Sequence, residues 1–492
     1  MKRLTMDSLS SLSDAVQCFR YDRSGVKTGI VHLGVGAFHR AHQGIFIEDC
    51  LERGETAWGI TAASLRNPDM ANALNPQDGL YTLAVRSSAG DALRVVGAIQ
   101  NVLVASENPA RLIARMAHPQ TRLVSLTVTE KGYCHDPASG ALNEDHPDIR
   151  HDLATPHQPR SAIGYLVAAL AERRKAGLKP FTIVSCDNLP SNGRIVKKLV
   201  QRYATLVEAD LGRWVEDEVL CPSSMVDRIV PATTDEDKAR IAGRLGLADH
   251  WPVMTEPFSQ WVLEDTFSAG RPDLAAAGVQ LVQDVTPFER MKLRLLNGAH
   301  STIAYLGYLG GHETVADAMA VPAFARFIRA MLDDEISPTL RLPAGTDIEA
   351  YKEALMQRFA NTALRHRTWQ IAMDGSQKLP QRLLDTMRER LVIGAPIGRM
   401  VLAVAGWMRY VTGRDEQGKS IDIRDAMAER FREIATAAGP DAKRLAPTLL
   451  AIHEIFGHDL PNNPGFTGPV TIALERLFKH GAMAEIRALA SA

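Results

Sequence analysis

"TGIVHLGVGAFHRAHQGIFIEDCLERG", residues 28–54, decides the fold. Its opening reads as a short buried strand, its glycines as a turn and its remainder as a helix. Gly34 and Gly36 stand directly after the strand and before the helix. Glycines there let a backbone approach a pyrophosphate, and a helix N-terminus favours the anion. The run Gly34, Val35, Gly36, Ala37, Phe38, His39 and Arg40 is therefore the expected dinucleotide cradle. The G-x-G-x-x-G fingerprint is incomplete, because its third glycine position holds His39. His39 and His42, three apart and without a carboxylate partner, make a poor metal pair, and no metal is expected.

Outward from this stretch, "WGITAASLR" (58–66) is a second strand, and "RLVSLTVTE" (122–130) and "FTIVSCDNLP" (181–190) are apolar, β-branched runs ending in polar residues. "SAIGYLVAALAERRKAG" (161–177) between them has helical periodicity, with Gly177 suited to a C-cap. "MVDRIVP" (225–231) and "VQLVQDV" (279–285) read as later strands. Strands alternating with helices predict an α/β fold with a Rossmann-like, doubly wound parallel sheet. From "TPFERMKLRLLNGAHSTIAYLGYLGG" (286–311) onward the pattern is helical and alanine-rich. Two domains are expected, a dinucleotide-binding domain over 1–286 and a mainly helical substrate domain over 287–492, with the active site in the cleft between them.

The bulk numbers agree. A chain of 492 residues exceeds what one core usually supports, and 46% hydrophobic with 23% charged residues is ordinary for a globular protein. A net charge of -1 gives no electrostatic case for nucleic acid or an anionic membrane, so a small-molecule partner is expected, with the protein a monomer or weak homo-oligomer. Five widely spaced cysteines without a C-x-x-C pair fit reduced thiols. With neither a secretory h-region nor an apolar run of spanning length, a cytoplasmic location is expected.

"KLRLLNGAHS" (292–301) sets Lys292, Asn297 and His300 into an otherwise apolar helix. At about 100° per residue the three fall within an arc of roughly 140°, converging on one cleft. The competing expectation is a helix edge at the surface, with Lys292 solvated and Asn297-Gly298 closing the helix. Asp187 and Asn188 lie just past one strand end and Glu130 at another, where open α/β sheets gather ligands. "MDGSQKLPQR" (373–382) collects Asp374, Lys378 and Arg382 around a glycine turn, suited to an anion or simply to shaping a loop. Arg66 and Asp69 follow the second strand, which leaves NADP open beside NAD.

Together these residues resemble the mannitol dehydrogenase family, the zinc-independent long-chain polyol dehydrogenases. Lys292-x4-Asn297-x2-His300 is similar to the family's K-x4-N-x2-H signature. The glycine turn, "SLTVTEKGYC", "SCDN", "MVDRIVPAT" and "AGWMRY" follow in the family's order over nearly the whole chain. "RHRTWQIAMDGSQKLPQRLLD" (365–385) is closest to the sugar-acid branch, which interconverts D-fructuronate and D-mannonate. The resemblance implies metal-independent hydride transfer with NAD. It implies Lys292 as general acid/base, Asn188 and Asn297 as donors to the carbonyl oxygen, and His300 as the residue orienting the substrate. Asp227, Lys378 and Arg367 would bind substrate, and Glu130 would lie on a proton path from Lys292. A lysine buried beside such a site would have its pKa moved toward neutrality, where proton exchange is effective. Gln370 stands where the polyol branch has an arginine, and the nearby cations are Arg365, Arg367, Lys378 and Arg382. A uronate needs one of them for its carboxylate. A polyol dehydrogenase or a tagaturonate reductase of the same family would use identical catalytic parts. A metal-dependent dehydratase would need a carboxylate/histidine cage, and a nucleotide sensor would leave the lysine–asparagine–histidine set without a purpose.

Overall fold

A computed structural model of the chain describes residues 1–88, 90–136 and 139–490. They form two compact units, Met1–Thr286 and Pro287–Ala492.

The first unit is built on five parallel strands: β1 (Thr28–Leu33), β2 (Gly59–Ser64), β3 (Ile99–Val104), β4 (Leu123–Leu126) and β5 (Thr182–Ser185). Their order is β3-β2-β1-β4-β5, the expected Rossmann-type arrangement. The chain builds outward from β1 on one side, then returns to its other side through β4. The loops after β1 and β4 therefore diverge at the switch point, where ligands of such sheets bind. Both faces are covered, which is why Val31, Leu33, Val124, Leu126, Ile183 and Val184 run as near-continuous apolar strands. The helix read over 161–177 spans Ala162–Lys175, with the Ser161 hydroxyl accepting from Gly164 N–H at 2.9 Å and Gly177 at φ +66°.

Two later strands depart from the expectation. Ser224–Asp227 and Gln280–Val282 are strands, but they flank Gln260–Glu264 in a separate three-stranded sheet. The Asn192 side chain explains the first: its amide donates to Ser224 C=O and accepts from Ser224 N–H, both at 2.9 Å. Those backbone groups are thereby taken from any ladder with β5. A further sheet pairs Tyr81–Ser87 with Gly90–Val96 and lies outside the sequence reading.

The second unit holds no strand among the described residues 287–490. Helix Thr286–Met291 passes through a π-helical turn, Lys292–Asn297, into helix Gly298–Leu309 without a break. Leu295, Leu296, Ile303, Leu306 and Leu309 of this rod are buried. Two other π turns, Met331–Ile336 and Pro380–Leu384, occur in the same unit. No helix among the described residues is long and apolar enough to cross a membrane.

Candidate active site

In the first unit the glycine turn divides its labour. Gly34 has φ +93°, and a Cβ there would lie 2.1 Å from Thr127 O, so only glycine fits between β1 and β4. At Gly36 a Cβ would meet nothing nearer than Gly34 O at 3.9 Å. Packing does not require that second glycine, which leaves its backbone open to a ligand. The absent third glycine has a structural substitute. The His39 ring stacks on His32 of β1, with centroids 3.3 Å apart and planes at 11°. His32 Nδ1 lies 2.8 Å from Ser125 Oγ and Nε2 lies 2.9 Å from Thr127 Oγ1. Burial pulls the His32 pKa down to about 3 and that of His39 well below its ordinary value, so both rings are neutral. The Arg40 guanidinium turns inward to Trp251 O, and Tyr81 donates to Arg40 C=O at 2.7 Å. The His39 and Arg40 side chains thus pack into the core, and the main chain from Gly34 onward is the part left as a candidate cradle.

Asp187 organises the polar ends of β4 and β5. Its carboxylate accepts from Val128 N–H and Thr129 N–H, each at 3.0 Å, and from the Tyr133 hydroxyl at 2.6 Å. Burial raises its pKa. These bonds hold the turn Glu130–Tyr133, which begins at the exposed Glu130 after Thr129 at φ +66°. The next residue, Asn188, is exposed, whereas Asp227 is buried at the end of its strand opposite Gln260. Arg66 is bound to Asp148 at 2.7 Å. Cys134, His146 and Asp148 bring ligand-type atoms within 4.8 Å of one another, with Asp148 already held by Arg66 and His146 Nδ1 accepting Asp148 N–H.

In the second unit the helix does not end at Asn297-Gly298, which removes the surface-edge alternative. The α-helical angles assumed for Lys292 and Asn297 also fail, because the turn between them is π. A π turn closes from residue i to i+5, so it brings Asn297 back over Lys292 where an α-helix would swing it away. Lys292 and Asn297 are half-buried and His300 is buried. Its Nε2 lacks a hydrogen-bond partner, while the ring meets Phe359 at 4.9 Å and His366 edge-on at 5.2 Å. Burial, reinforced by His366, Arg358 and Arg382, holds the His300 pKa far below its ordinary value and keeps it neutral. A buried ring nitrogen without a partner suits a ligand hydroxyl.

The four candidate cations differ. Arg365 and Arg367 are exposed, and Arg367 faces Glu313 at 3.6 Å. Lys378 Nζ donates to Met373 C=O at 2.6 Å. Arg382 lies in the π turn Pro380–Leu384, and its Nη1 donates to Ser301 Oγ at 3.1 Å. Gly298, read as a helix terminator, instead permits close approach: a Cβ there would lie 2.9 Å from Arg382 O.

Comparison with known proteins identifies the family. The Mannitol dehydrogenase Rossmann domain family matches residues 28–276, and the Mannitol dehydrogenase C-terminal domain family matches residues 284–478. The chain is 48% identical to D-mannonate oxidoreductase of Escherichia coli K12, over 95% of this chain and 97% of that one. It is 40% identical to a mannitol 2-dehydrogenase of Aspergillus terreus, over 96% and 95%. The Pseudomonas fluorescens mannitol 2-dehydrogenase, solved with NAD and D-mannitol, superposes with a TM-score of 0.87 at 38% identity, over 99% of both chains. The chain belongs to the mannitol dehydrogenase family and is an oxidoreductase acting on CH–OH groups.

Proposed function

We propose that the protein interconverts D-fructuronate and D-mannonate by metal-independent hydride transfer with NAD. The observation that carries this reading is the π turn, which stacks Asn297 over Lys292, with the unpartnered Nε2 of neutral His300 about one turn beyond Asn297. The identity to D-mannonate oxidoreductase supports the sugar-acid choice. The open backbone at Gly36, at a sheet switch point, fits a dinucleotide pyrophosphate. NAD, when bound, supplies the hydride acceptor or donor.

The chain's own groups handle the proton and the oxygen. In the oxidative direction the Lys292 amine removes the proton of the substrate hydroxyl; in reduction the ammonium returns it. Asn297 and Asn188 donate to the substrate oxygen as alkoxide charge develops. His300 accepts from or donates to a neighbouring hydroxyl through Nε2. Asp227 and Lys378 bind further hydroxyls, and Glu130, at the exposed start of its turn, relays protons to solvent.

The test follows nicotinamide absorbance with D-fructuronate, D-tagaturonate and D-fructose, each with NADH or NADPH, with and without chelator. Chelator-insensitive oxidation of NADH by fructuronate, with fructose inert, is expected. Turnover of fructose alone would overturn the substrate assignment in favour of a polyol dehydrogenase, the reading favoured by the Aspergillus terreus relative.

A further inference from the structure

We infer that Arg382 is the specificity-determining anchor of this site, its guanidinium receiving the carboxylate of the sugar acid. The inference rests on the sugar-acid reading above and names the residue that imposes it.

Of the four candidate cations, Arg382 is half-buried and spends a single donor within the protein. Its one hydrogen bond is to the neutral Ser301 hydroxyl at 3.1 Å, and it has no carboxylate partner among the described residues. A guanidinium carries five N–H donors in a planar fork, so most of this one's capacity is unused. Burial depresses its pKa, which reports a cation removed from water without a compensating charge. Two arginines near it in sequence show the contrast: Arg294 holds Glu389 through two nitrogens at 2.6 and 2.8 Å, and Arg388 holds Asp459 at 2.7 Å. An unanswered, half-buried cation is costly, and an incoming carboxylate removes that cost.

Its position is equally specific. The main chain of Arg382 lies against Gly298, directly after Asn297, where any side chain would collide with Arg382 O. Its guanidinium is tied to Ser301, directly after His300. The fork is thus fastened at both ends to the turn that presents Asn297 and His300. Its charge also contributes to keeping His300 neutral. A carboxylate on this fork and a hydroxyl on His300 Nε2 belong to one short, polyhydroxylated anion. Arg367, exposed and facing Glu313, has neither property.

The experiment compares kcat/KM for D-fructuronate and its methyl ester, which keeps every hydroxyl and loses the charge. Wild type should favour the acid roughly 100-fold, the size of a lost charge-assisted bond pair. In Arg382→Gln the acid should fall by the same factor, chiefly through KM, and the acid-to-ester ratio should collapse toward one. Arg382→Lys should fall between, and NADH binding should be unchanged in both. A ratio near one in the wild type, or a ratio preserved in either variant, would overturn the assignment. Preserved discrimination with robust fructuronate turnover leaves the sugar-acid reading standing; inactivity of the wild type on fructuronate and tagaturonate removes both.

Discussion

In the proposed mechanism one side chain, Lys292, exchanges the proton with the substrate oxygen. Lys292→Ala should lower kcat by about 10³-fold with little change in KM, within the range of a lost general acid/base. Added methylamine should restore part of the rate. A variant within tenfold of wild type would remove Lys292 from that role. At the same scale, residue identity told more than residue angle. Lys292, Asn297 and His300 were legible because polar groups on an apolar helix are conspicuous. Their true relation was hidden, because a π turn has no local sequence signature and is set by packing against neighbouring elements. His39 shows the converse: the missing glycine was plain, but its replacement by a stacked imidazole pair depended on His32, seven residues earlier on β1.

Among elements, the strand–turn–helix at β1 separates structure from chemistry. Gly34→Ala forces a side chain into a left-handed backbone against Thr127 O, and should destabilise the fold by at least about 2 kcal/mol. Gly36→Ala meets open space, so its melting temperature should match wild type while NADH affinity falls. Equal losses of stability in the two variants would contradict this division. β1, β2, β4 and β5 were readable as apolar runs bounded by polar residues. β3 was missed, since as an edge strand it carries the half-buried polar pair Gln100 and Asn101, which breaks the apolar pattern. The run at 122–130 read too long: pairing stops at Leu126, because the Thr127 hydroxyl donates to Gly34 C=O and Asp187 takes the next two N–H groups.

For the whole molecule, buried ionisable groups set opposite limits of pH. Glu48 lies buried against Tyr21 and Gly97 N–H, each 3.0 Å from Oε2, and burial raises its pKa to about 7. A raised carboxyl pKa favours the fold below the unfolded value near 4.5 and loses that benefit as pH climbs through 7. Glu48→Gln should therefore gain stability over wild type between pH 5 and 8, by up to about 3 kcal/mol. A pH-independent difference in melting temperature would refute it. His32, His39, His300 and His366 act in the other direction, all held neutral by burial, with His366 at about 4. Their contribution is complete above pH 6.5 and drains away as acid protonates the unfolded chain first. The π turn has a last consequence. It amounts to one spare residue in an otherwise ordinary helix, a local defect retained although the regular form bonds better. Deleting half-buried Leu293 should let the rod relax to α-helix, leaving a protein that melts no lower than its parent and turns over nothing. Catalysis here would then depend on an insertion that selection for stability alone would erase.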